Sequence, residues 1–266
     1  MTKIIWMTDP HYQSAGDIAG LNPRVRLATA IDHMNTHHGD AALAVISGDL
    51  VGDDIGNDYA GLSTYLARSN VSIHALVGNN DDRAGFRAHL PLPEDAMPDF
   101  VQYVLTVAGA RLICLDTHKP GSHAGEFCAT RQDWLKQMLL QQPDLPTYIF
   151  MHHPPMALGL PKQDEIRLEN GDAFLDLISG YPNVRHLFIG HVHRPTCGTI
   201  RGIPFVTLGA LSFQAPAPQP DWDWQSFKAA EEPPHYAVLS IQNGDITVQF
   251  TQYCTYAHGM EAAPQA

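Results

Sequence analysis

The sequence has little cysteine, and the cysteines that it has are widely separated. Only four occur in 266 residues, with no CxxC pair and none beside a histidine at metal-ligand spacing. Small disulfide-bonded scaffolds and cysteine-based zinc sites have the opposite pattern, with paired or closely spaced thiols. We therefore expect neutral, reduced thiols at Cys114, Cys128, Cys197 and Cys254.

Long apolar runs are also lacking. No run approaches the roughly 20 residues that a membrane-spanning helix needs. The first residues, MTKIIWMTDPHY, hold one lysine and a run of only four apolar residues before Thr8, far short of the apolar core of a signal peptide. We expect a cytoplasmic protein with no stable insertion into a membrane.

Positive charge is scarce. The 16 lysines and arginines are outnumbered by 28 aspartates and glutamates, which gives a formal net charge of -12 at pH 7. Because this balance repels polyanions at long range, a nucleic acid polymer is not an expected partner. The rest of the composition, 44% hydrophobic and 17% charged, is ordinary for a globular protein, and the length predicts a single domain over residues 1–266.

Short apolar segments alternate along the chain with segments of helical spacing. Each apolar segment stops at a glycine or a polar residue, which is typical of strands buried on both faces. The alternation predicts an α/β fold with parallel or mixed sheets in layers. The predicted strands are KIIWMTD, ALAVISGD, SIHALVGNND, RLICLDTH, TYIFMHH, VRHLFIGHVH and PFVTLGA, and the predicted helices are PRVRLATAIDHMNTH, YAGLSTYLARS, TRQDWLKQMLLQQ and GDAFLDLISGY.

The C-terminal part has a different pattern. Two alternating runs flank NGD in HYAVLSIQNGDITVQFTQY, which predicts a β-hairpin at about residues 235–253. The hairpin is partly apolar on both faces and could add a pair of strands across a homodimer interface. Upstream, the proline-rich and aromatic residues 213–234 predict an ordered surface loop that covers another part of the protein. The tail GMEAAPQA is expected to be frayed.

Five of the predicted strands are followed by residues of the kinds that bind metals. The carboxyl ends of strands in α/β sheets line a common crevice, so residues at those ends can converge although they are distant in sequence. In chain order these residues are Asp9 and His11, Asp49, Asn79, His152, and His191 with His193.

The number and chemistry of these side chains indicate two metal ions. Two aspartates, four histidines and one asparagine exceed the about four ligands of a single zinc ion. They suit two divalent ions roughly 3.5–4 Å apart that share one carboxylate, an arrangement that clamps the attacking and leaving oxygens of a phosphoryl group. Imidazole and oxygen donors without a thiolate favour Mn, Fe, Zn or Co.

The motifs that carry these residues resemble a known family. DPHY, GDL, GNND, MHHPP and GHVH, in this order, are similar to the DxH, GD, GN[HD/HE], H and GHxH pattern of the calcineurin-like metallophosphoesterases. CLDTHKPGSHAGEFCATRQDWL resembles the segment that the class III cyclic-nucleotide and glycerophosphodiester phosphodiesterases of this family carry between the third and fourth motifs. The resemblance implies a four-layer αββα sandwich with a dinuclear metal site at the strand ends.

The resemblance also implies a role for each matching residue. A hydroxide activated by the metals would attack phosphorus in line, and the metals would neutralise charge on the phosphoryl oxygens. Asp9, His11 and His193 would hold the first metal, Asn79, His152 and His191 the second, and Asp49 would bridge them.

One position departs from the family pattern. Members usually have a histidine after the metal-binding asparagine, and that histidine is associated with contact to the phosphate or with departure of the leaving oxygen. This chain has Asn80 there, and an amide can donate a hydrogen bond but cannot supply a proton at neutral pH. We place Asn80 with Asp49 in the catalytic group and with His118 and His123 in the substrate-binding group. Either His118 or His123 takes the missing role, or the leaving group needs less help.

Each motif alone has an ordinary structural explanation. DPH is a common turn, and an aspartate after a strand is more often a helix cap than a ligand. Two histidines two residues apart also face the same side of any strand, and only the family pattern favours His152 over His153. The joint occurrence of five motifs in family order favours the metal site. We expect Asp53, Asp54 and Asp58 to be solvated loop charges, and the histidines at 33, 37, 38, 89, 186, 235 and 258 to have no catalytic role.

The predicted function is metal-dependent hydrolysis of a small phosphodiester, either a cyclic nucleotide or a glycerophosphodiester. A phospholipase C-like hydrolase of phospholipid head groups is an alternative, since Phe213, Trp222 and Trp224 could offer an apolar wall to a lipid or stack a base. A protein phosphatase is disfavoured because GDLVGDD lacks the arginine of GDxVDRG, and a nuclease is disfavoured by the negative charge. A non-catalytic scaffold with this fold is the alternative from another class, although such proteins usually lose ligands and all seven are present here.

Overall fold

The computed structural model describes residues 1–52, 58–218 and 222–254. All seven apolar segments predicted as strands are strands, and all four segments predicted as helices are helices. The helices are α1 Pro23–His38, α2 Tyr59–Leu66, α3 Arg83–His89, α4 Ala129–Gln141, α5 Pro161–Asp164 and α6 Gly171–Ser179. The strands are β1 Thr2–Met7, β2 Leu43–Ser47, β3 Ile73–Leu76, β4 Tyr103–Val107, β5 Ala110–Cys114, β6 Thr147–Met151, β7 Val184–Ile189, β8 Thr196–Ile200, β9 Ile203–Thr207, β10 His235–Gln242 and β11 Asp245–Gln252.

The strands form two mixed sheets. The first has the order β11-β10-β1-β2-β3, and the second has the order β4-β5-β6-β7-β9-β8. Strands β1, β2 and β3 run parallel in the first sheet, as do β5, β6, β7 and β9 in the second. The carboxyl ends of these parallel strands therefore lie on one edge of each sheet. The other strands, β10, β11, β4 and β8, pair antiparallel with their neighbours.

Side-chain alternation along β6 shows the four layers. Tyr148 and Phe150 belong to the core that β1, β2 and α1 also share, and the Phe150 ring stacks on Phe188 at 4.7 Å between centroids. The alternate residues Ile149 and Met151 pack instead with side chains of α4 and α6. Burial of one such side chain contributes about 1.5–3 kcal/mol. The result is the αββα sandwich that the family resemblance implied.

The sequence patterns did not indicate four of the elements. These are β4, β8 and the short helices α3 and α5. Strand β8 lies at the edge of its sheet and is mostly exposed, so it lacks the continuous apolar run that identifies a buried strand. Helices of four to seven residues are too short to display an apolar period.

The C-terminal hairpin around NGD forms as the sequence indicated. Strands β10 and β11 pair from His235 with Gln252 to Gln242 with Asp245, and both loop residues, Asn243 and Gly244, have positive φ, as a tight two-residue hairpin requires. Strand β11 is the edge strand of its sheet, and dimerisation through it stays a prediction. The tail after residue 254, and Asp53 and Asp54, lie outside the described residues.

Within the described ranges, none of the helices combines the length and apolarity that crossing a membrane would require.

Candidate metal centre

The carboxyl ends of five parallel strands, from both sheets, lie close together. Strands β1, β2 and β3 come from the first sheet and β6 and β7 from the second. Each is followed within four residues by one or two of the predicted ligands. The structure brings all seven of these side chains together at this point, in two groups.

The first group consists of Asp9, His11, Asp49 and His193, all buried, with one potential ligand atom of each lying within 4.8 Å of the others. His193 Nε2 lies 3.3 Å from Asp9 Oδ1. His11 Nε2 lies 3.0 Å from His193 Nε2 and 3.5 Å from Asp49 Oδ2. These four side chains could hold one divalent cation between them.

The second group faces the other carboxylate oxygen of Asp49. His152 Nε2 lies 3.3 Å from Asp49 Oδ1 and 3.2 Å from Asn79 Oδ1, and His191 Nδ1 lies 3.2 Å from His152 Nε2. Each oxygen of Asp49 therefore faces one group, which is the arrangement expected of a bridging carboxylate.

Backbone carbonyls orient three of the four histidine rings. The nitrogen that points away from the site contacts a carbonyl oxygen in each case, at 2.8 Å for His152 Nδ1 with Ser47, 3.0 Å for His191 Nε2 with Ile166 and 2.9 Å for His193 Nδ1 with Phe213. Donation to these carbonyls leaves the inner nitrogens as lone-pair donors, which is the tautomer that a metal ligand needs.

The structure also distinguishes His152 from its neighbour His153. His153 lies close enough to His152 and His191 to form a third possible ligand group. However, its Nδ1 contacts Thr117 Oγ1 at 2.7 Å and its Nε2 contacts the carbonyl oxygen of His123 at 3.2 Å. Both ring nitrogens of His153 thus have partners, whereas Nε2 of His152 faces the other ligand-type atoms.

A cation fits the first group because Asp9 has an orphaned oxygen. Asp9 Oδ2 accepts hydrogen bonds from Thr8 Oγ1 at 2.5 Å and from the backbone N–H of His191 at 3.1 Å. Asp9 Oδ1 is buried, and among the residues that the structure describes it has no hydrogen-bond partner. An unsatisfied buried acceptor costs roughly 1–3 kcal/mol, and more when it is charged, and a metal ion would supply the missing positive partner.

The backbone is strained at most of these residues. Five of the seven have left-handed φ angles although none is a glycine, and such conformations cost of order 1–3 kcal/mol each and cluster at functional sites. The turns that follow the strands therefore aim side chains at the site at the expense of local stability. The five φ angles are 52° for Asp9, 44° for His11, 47° for Asp49, 72° for His191 and 51° for His193.

The glycine of GNND keeps space open between the ligand-type atoms. A Cβ atom at Gly78 would collide with Asp49 Oδ1 and would lie 2.7 Å from His152 Nε2. Any larger residue would therefore displace the carboxylate that faces both groups.

Burial and close charges shift the pKa values within the site. Burial lowers the pKa of His11 to about 4 and that of His191 to about 3. Burial alone would also lower the pKa of His152, but the carboxylates of Asp49 and Asp9 raise it to about 9. Burial opposes ionisation of Asp49, yet His152 and His11 bring its pKa well below the usual range. The metal-free site thus holds two carboxylates, one imidazolium at His152 and neutral rings at His11 and His191.

We expect metal binding to release the proton of His152. Below about pH 9 this ring is protonated in the metal-free protein, and a ligand must be neutral. Isothermal titration of Mn²⁺ into metal-free protein, in buffers of different ionisation enthalpy, should give at least about one proton released per chain at pH 7, namely the proton of His152 together with any proton lost by a metal-bound water. A proton count of zero at pH 7 would contradict this assignment.

Asn80 lies against the first group. Its backbone N–H donates to Asp49 Oδ1 at 2.9 Å, and its side-chain Nδ2 lies 3.1 Å from His11 Nδ1. Its Oδ1 accepts a hydrogen bond from Asn79 Nδ2 at 2.6 Å. Asn80 also lines the cleft above the site.

The two histidines considered as substitutes occupy different places. His123 is exposed at the rim of the cleft, and its Nδ1 lies 3.3 Å from Asn79 Nδ2. His118 is buried, and its Nδ1 donates to the carbonyl oxygen of Gly78 at 3.0 Å. His118 is not among the residues that line the cleft. Of the pair, the structure brings only His123 to the cleft, and His118 supports the loop that carries Asn79.

Asp81 is a residue that the sequence analysis did not single out. This buried carboxylate accepts hydrogen bonds from the backbone N–H groups of Gly78 at 2.8 Å and Leu50 at 3.1 Å, and from Tyr59 Oη at 2.9 Å. Burial, followed by repulsion from Asp49, raises its pKa to about 7. Asp81 ties the GDL and GNND loops together, and its position within GNND was the only signal for it.

The cleft above the two groups has a volume of about 270 Å³. Apolar and aromatic side chains form much of its wall, including Phe213, Trp224 and Phe227. Trp222 is not a lining residue, but its ring centroid lies 5.5 Å from that of Trp224. Of the lining residues that the structure describes, none is a lysine or an arginine.

Three comparisons with known proteins agree with this geometry. Residues 2–195 match the family model described as calcineurin-like phosphoesterase. A probable cyclic nucleotide phosphodiesterase of Rhodopseudomonas palustris is 34% identical over 254 residues, covering 92% of this chain and 90% of that protein. The glycerophosphodiester phosphodiesterase GpdQ of Enterobacter lignolyticus is 33% identical over 175 residues, covering 65% of this chain and 63% of that protein. A dimetal phosphatase from Danio rerio has a similar fold, with a TM-score of 0.69 at 15% identity and coverage of 96% and 97%.

Proposed function

We propose that this chain, which belongs to the calcineurin-like phosphoesterase family, is a metal-dependent phosphodiesterase that hydrolyses a small phosphodiester. The observation that carries the proposal is the position of Asp49, whose two oxygens face two separate groups of ligand-type side chains. That arrangement suits a pair of divalent cations, which can stabilise both the attacking and the leaving oxygen of an in-line displacement at phosphorus.

We assign the two ligand groups as follows. Two bound divalent ions would lower the pKa of a water to provide the nucleophile and would offset negative charge on the phosphoryl oxygens. The oxygen and imidazole donors suit Mn, Fe, Zn or Co. The first ion would be held by Asp9, His11 and His193, and the second by Asn79, His152 and His191. Asp49 would bind both ions.

The residues of the chain position the substrate by hydrogen bonds rather than by fixed positive charge. Asn80 Nδ2 is a donor that lines the cleft beside His11, so it can hold a phosphoryl oxygen, although it cannot protonate a leaving group at neutral pH. His123 at the rim can exchange a proton with a leaving oxygen.

The charge of the cleft favours a diester over a monoester. A phosphodiester carries one negative charge, and a phosphomonoester carries about 1.5 to 2 at neutral pH. Beyond the metal ligands, the lining residues that the structure describes include no lysine or arginine to neutralise a second charge. This supports a diesterase and weighs against a protein phosphatase.

Two classes of small diester suit the site, the cyclic nucleotides and the glycerophosphodiesters. Of the two relatives described above, one is named for the first class and the other for the second.

A turnover panel with Mn²⁺-loaded protein tests the proposal. It should include 3′,5′-cyclic nucleotides, glycerophosphodiesters and phosphatidyl lipids. Turnover of either small class supports the proposal, and turnover of phosphatidyl lipids alone would indicate a phospholipase C-like enzyme. A protein that binds no Mn²⁺ when it is supplied, and hydrolyses none of the three classes, would indicate a scaffold.

Replacement of Asn80 by histidine should change how the rate depends on the leaving group. A histidine can donate a proton to the departing oxygen, so poor leaving groups should gain most, by up to about 100-fold. The measurement is kcat/KM across a series of aryl phosphodiesters for wild type and Asn80→His. Asn80→Ala is the matched control, because it removes the amide without offering a proton. Equal slopes for wild type and Asn80→His would show that position 80 does not assist the leaving group.

A further inference from the structure

The cleft contains a buried polar group that the proposed reaction does not use. Gln163 is 4% exposed and lines the cleft, and within the described part of the chain its side-chain Oε1 has no hydrogen-bond partner. Such an acceptor is costly unless something pairs with it. It lies in the same cleft as the metal-ligand residues but takes no part in either ligand group.

The backbone around Gln163 is held in place. The carboxylate of Asp164 accepts hydrogen bonds from the N–H groups of Leu158, Gly159 and Leu160 at 2.8 to 3.1 Å, which fixes the turn into α5. After α5, the carbonyl of Ile166 orients the His191 ring at 3.0 Å. The amide of Gln163 is therefore carried by a segment that is tied to the metal centre.

An aromatic wall lines the same cleft. Phe213 packs on the His193 ring at 4.3 Å and on Phe227 at 5.7 Å, and Phe227 lies 6.4 Å from Trp224. The Trp224 side chain is 48% exposed. An exposed indole in a cleft above a phosphoryl site offers a flat face on which a planar ring can stack.

From these two features we infer that Gln163, Trp224 and Phe227 form a subsite for the purine base of a 3′,5′-cyclic nucleotide. The inference rests on the proposed phosphodiesterase function and selects one of its two substrate classes. A carboxamide can form two hydrogen bonds with an adenine edge, accepting from its N–H group and donating to its ring nitrogen. The aromatic wall would stack against the ring.

The other candidate ligands satisfy only one of the two features. The quaternary ammonium of a choline head group would interact with aromatic faces, but it has no N–H to offer Gln163 Oε1. A glycerol or ethanolamine group can hydrogen bond, but it has no flat face to stack on the Trp224 side chain. A lipid chain would leave the amide unpaired in an apolar environment, which is unfavourable.

The test compares two substrates on paired variants of Mn²⁺-loaded protein. For 3′,5′-cyclic AMP, Gln163→Leu and Trp224→Ala should each raise KM about 10-fold, with kcat nearly unchanged. For glycerophosphoethanolamine, which has no base, both variants should match wild type within about two-fold. Trp224→Phe should restore most of the affinity, and Gln225→Leu, the same change at an exposed position outside the cleft lining, should have no effect.

Equilibrium binding separates failure of this inference from failure of the proposed function. Adenosine, which has no phosphate, should bind wild type about 10-fold more tightly than it binds Trp224→Ala, as measured by isothermal titration calorimetry. Adenosine binding without turnover of any diester would support the subsite and overturn the phosphodiesterase. Turnover of glycerophosphoethanolamine with no adenosine binding, or equal losses of both substrates in Gln163→Leu, would overturn the subsite and leave the phosphodiesterase in place.

Discussion

Replacement of Asp49 by asparagine should abolish phosphodiester hydrolysis and remove bound metal. The two oxygens of Asp49 face separate ligand groups, at 3.5 Å from His11 Nε2 and 3.3 Å from His152 Nε2. An amide keeps one acceptor oxygen, which can still receive the Asn80 N–H, but it loses the charge and the second oxygen. We expect metal content to fall from about two ions per chain to one or none, and kcat/KM to fall on the order of 1,000-fold or more.

Metal analysis after dialysis, together with steady-state kinetics, measures both effects. Asp32→Asn is the matched control, because Asp32 is an exposed carboxylate on α1 that pairs with Arg68 and belongs to none of the site motifs. It should keep two metals and full activity. An Asp49→Asn protein that retains two ions and near-normal turnover would show that Asp49 does not bridge.

His191→Ala and His193→Ala should each lose a different metal ion. These residues are two positions apart, yet His191 Nδ1 points to His152 and His193 Nε2 points to Asp9. Each variant should therefore retain about one ion per chain and lose at least about 100-fold in activity. The electron paramagnetic resonance spectrum of Mn²⁺ should change from that of a coupled pair to that of a single ion in both variants.

Double variants show whether the two losses are independent. His11→Ala added to His193→Ala should leave the remaining ion in place, whereas His152→Ala added to His193→Ala should remove it. His186→Phe is the control on the same strand, because a phenyl ring keeps the stacking of His186 on Phe188. Loss of both ions in each single variant would mean that the two sites bind cooperatively and are not separable.

The position of the ligand-type residues could be predicted because each directly follows a short apolar run. Strand identity depends on local burial, which apolar runs report well, and the carboxyl ends of parallel strands in a layered α/β fold meet at one edge. Asp49 and His152, for example, lie 103 positions apart in the sequence, yet their side chains are 3.3 Å apart. The family resemblance added which residues would share a metal, and that grouping stays a prediction.

Other features of the site could not be read from the sequence, because they depend on the orientation of side chains. The choice between His152 and His153 follows from the partners of their ring nitrogens. Likewise, only the fold shows that His118 supports the Gly78 loop while His123 reaches the cleft.

The base subsite illustrates the same limit. Gln163 lies in a four-residue helix whose sequence shows no period, and its importance follows from an acceptor that is buried without a partner. The aromatic composition of residues 213–234 indicates a possible wall but does not mark Phe227, and Trp222 packs against Trp224 without lining the cleft. Such tertiary placement is set by packing between loops, for which the sequence has no periodic signal.

Titration of activity against metal tests the central claim most directly. Mn²⁺ is added in steps to metal-free protein, and the rates of hydrolysis of 3′,5′-cyclic AMP and of bis(4-nitrophenyl) phosphate are measured after each addition. A dinuclear phosphodiesterase predicts that activity rises to a plateau at about two equivalents per chain, and that metal analysis at the plateau finds the same number. A plateau at one equivalent, or no turnover of either diester at any metal content, would contradict the account.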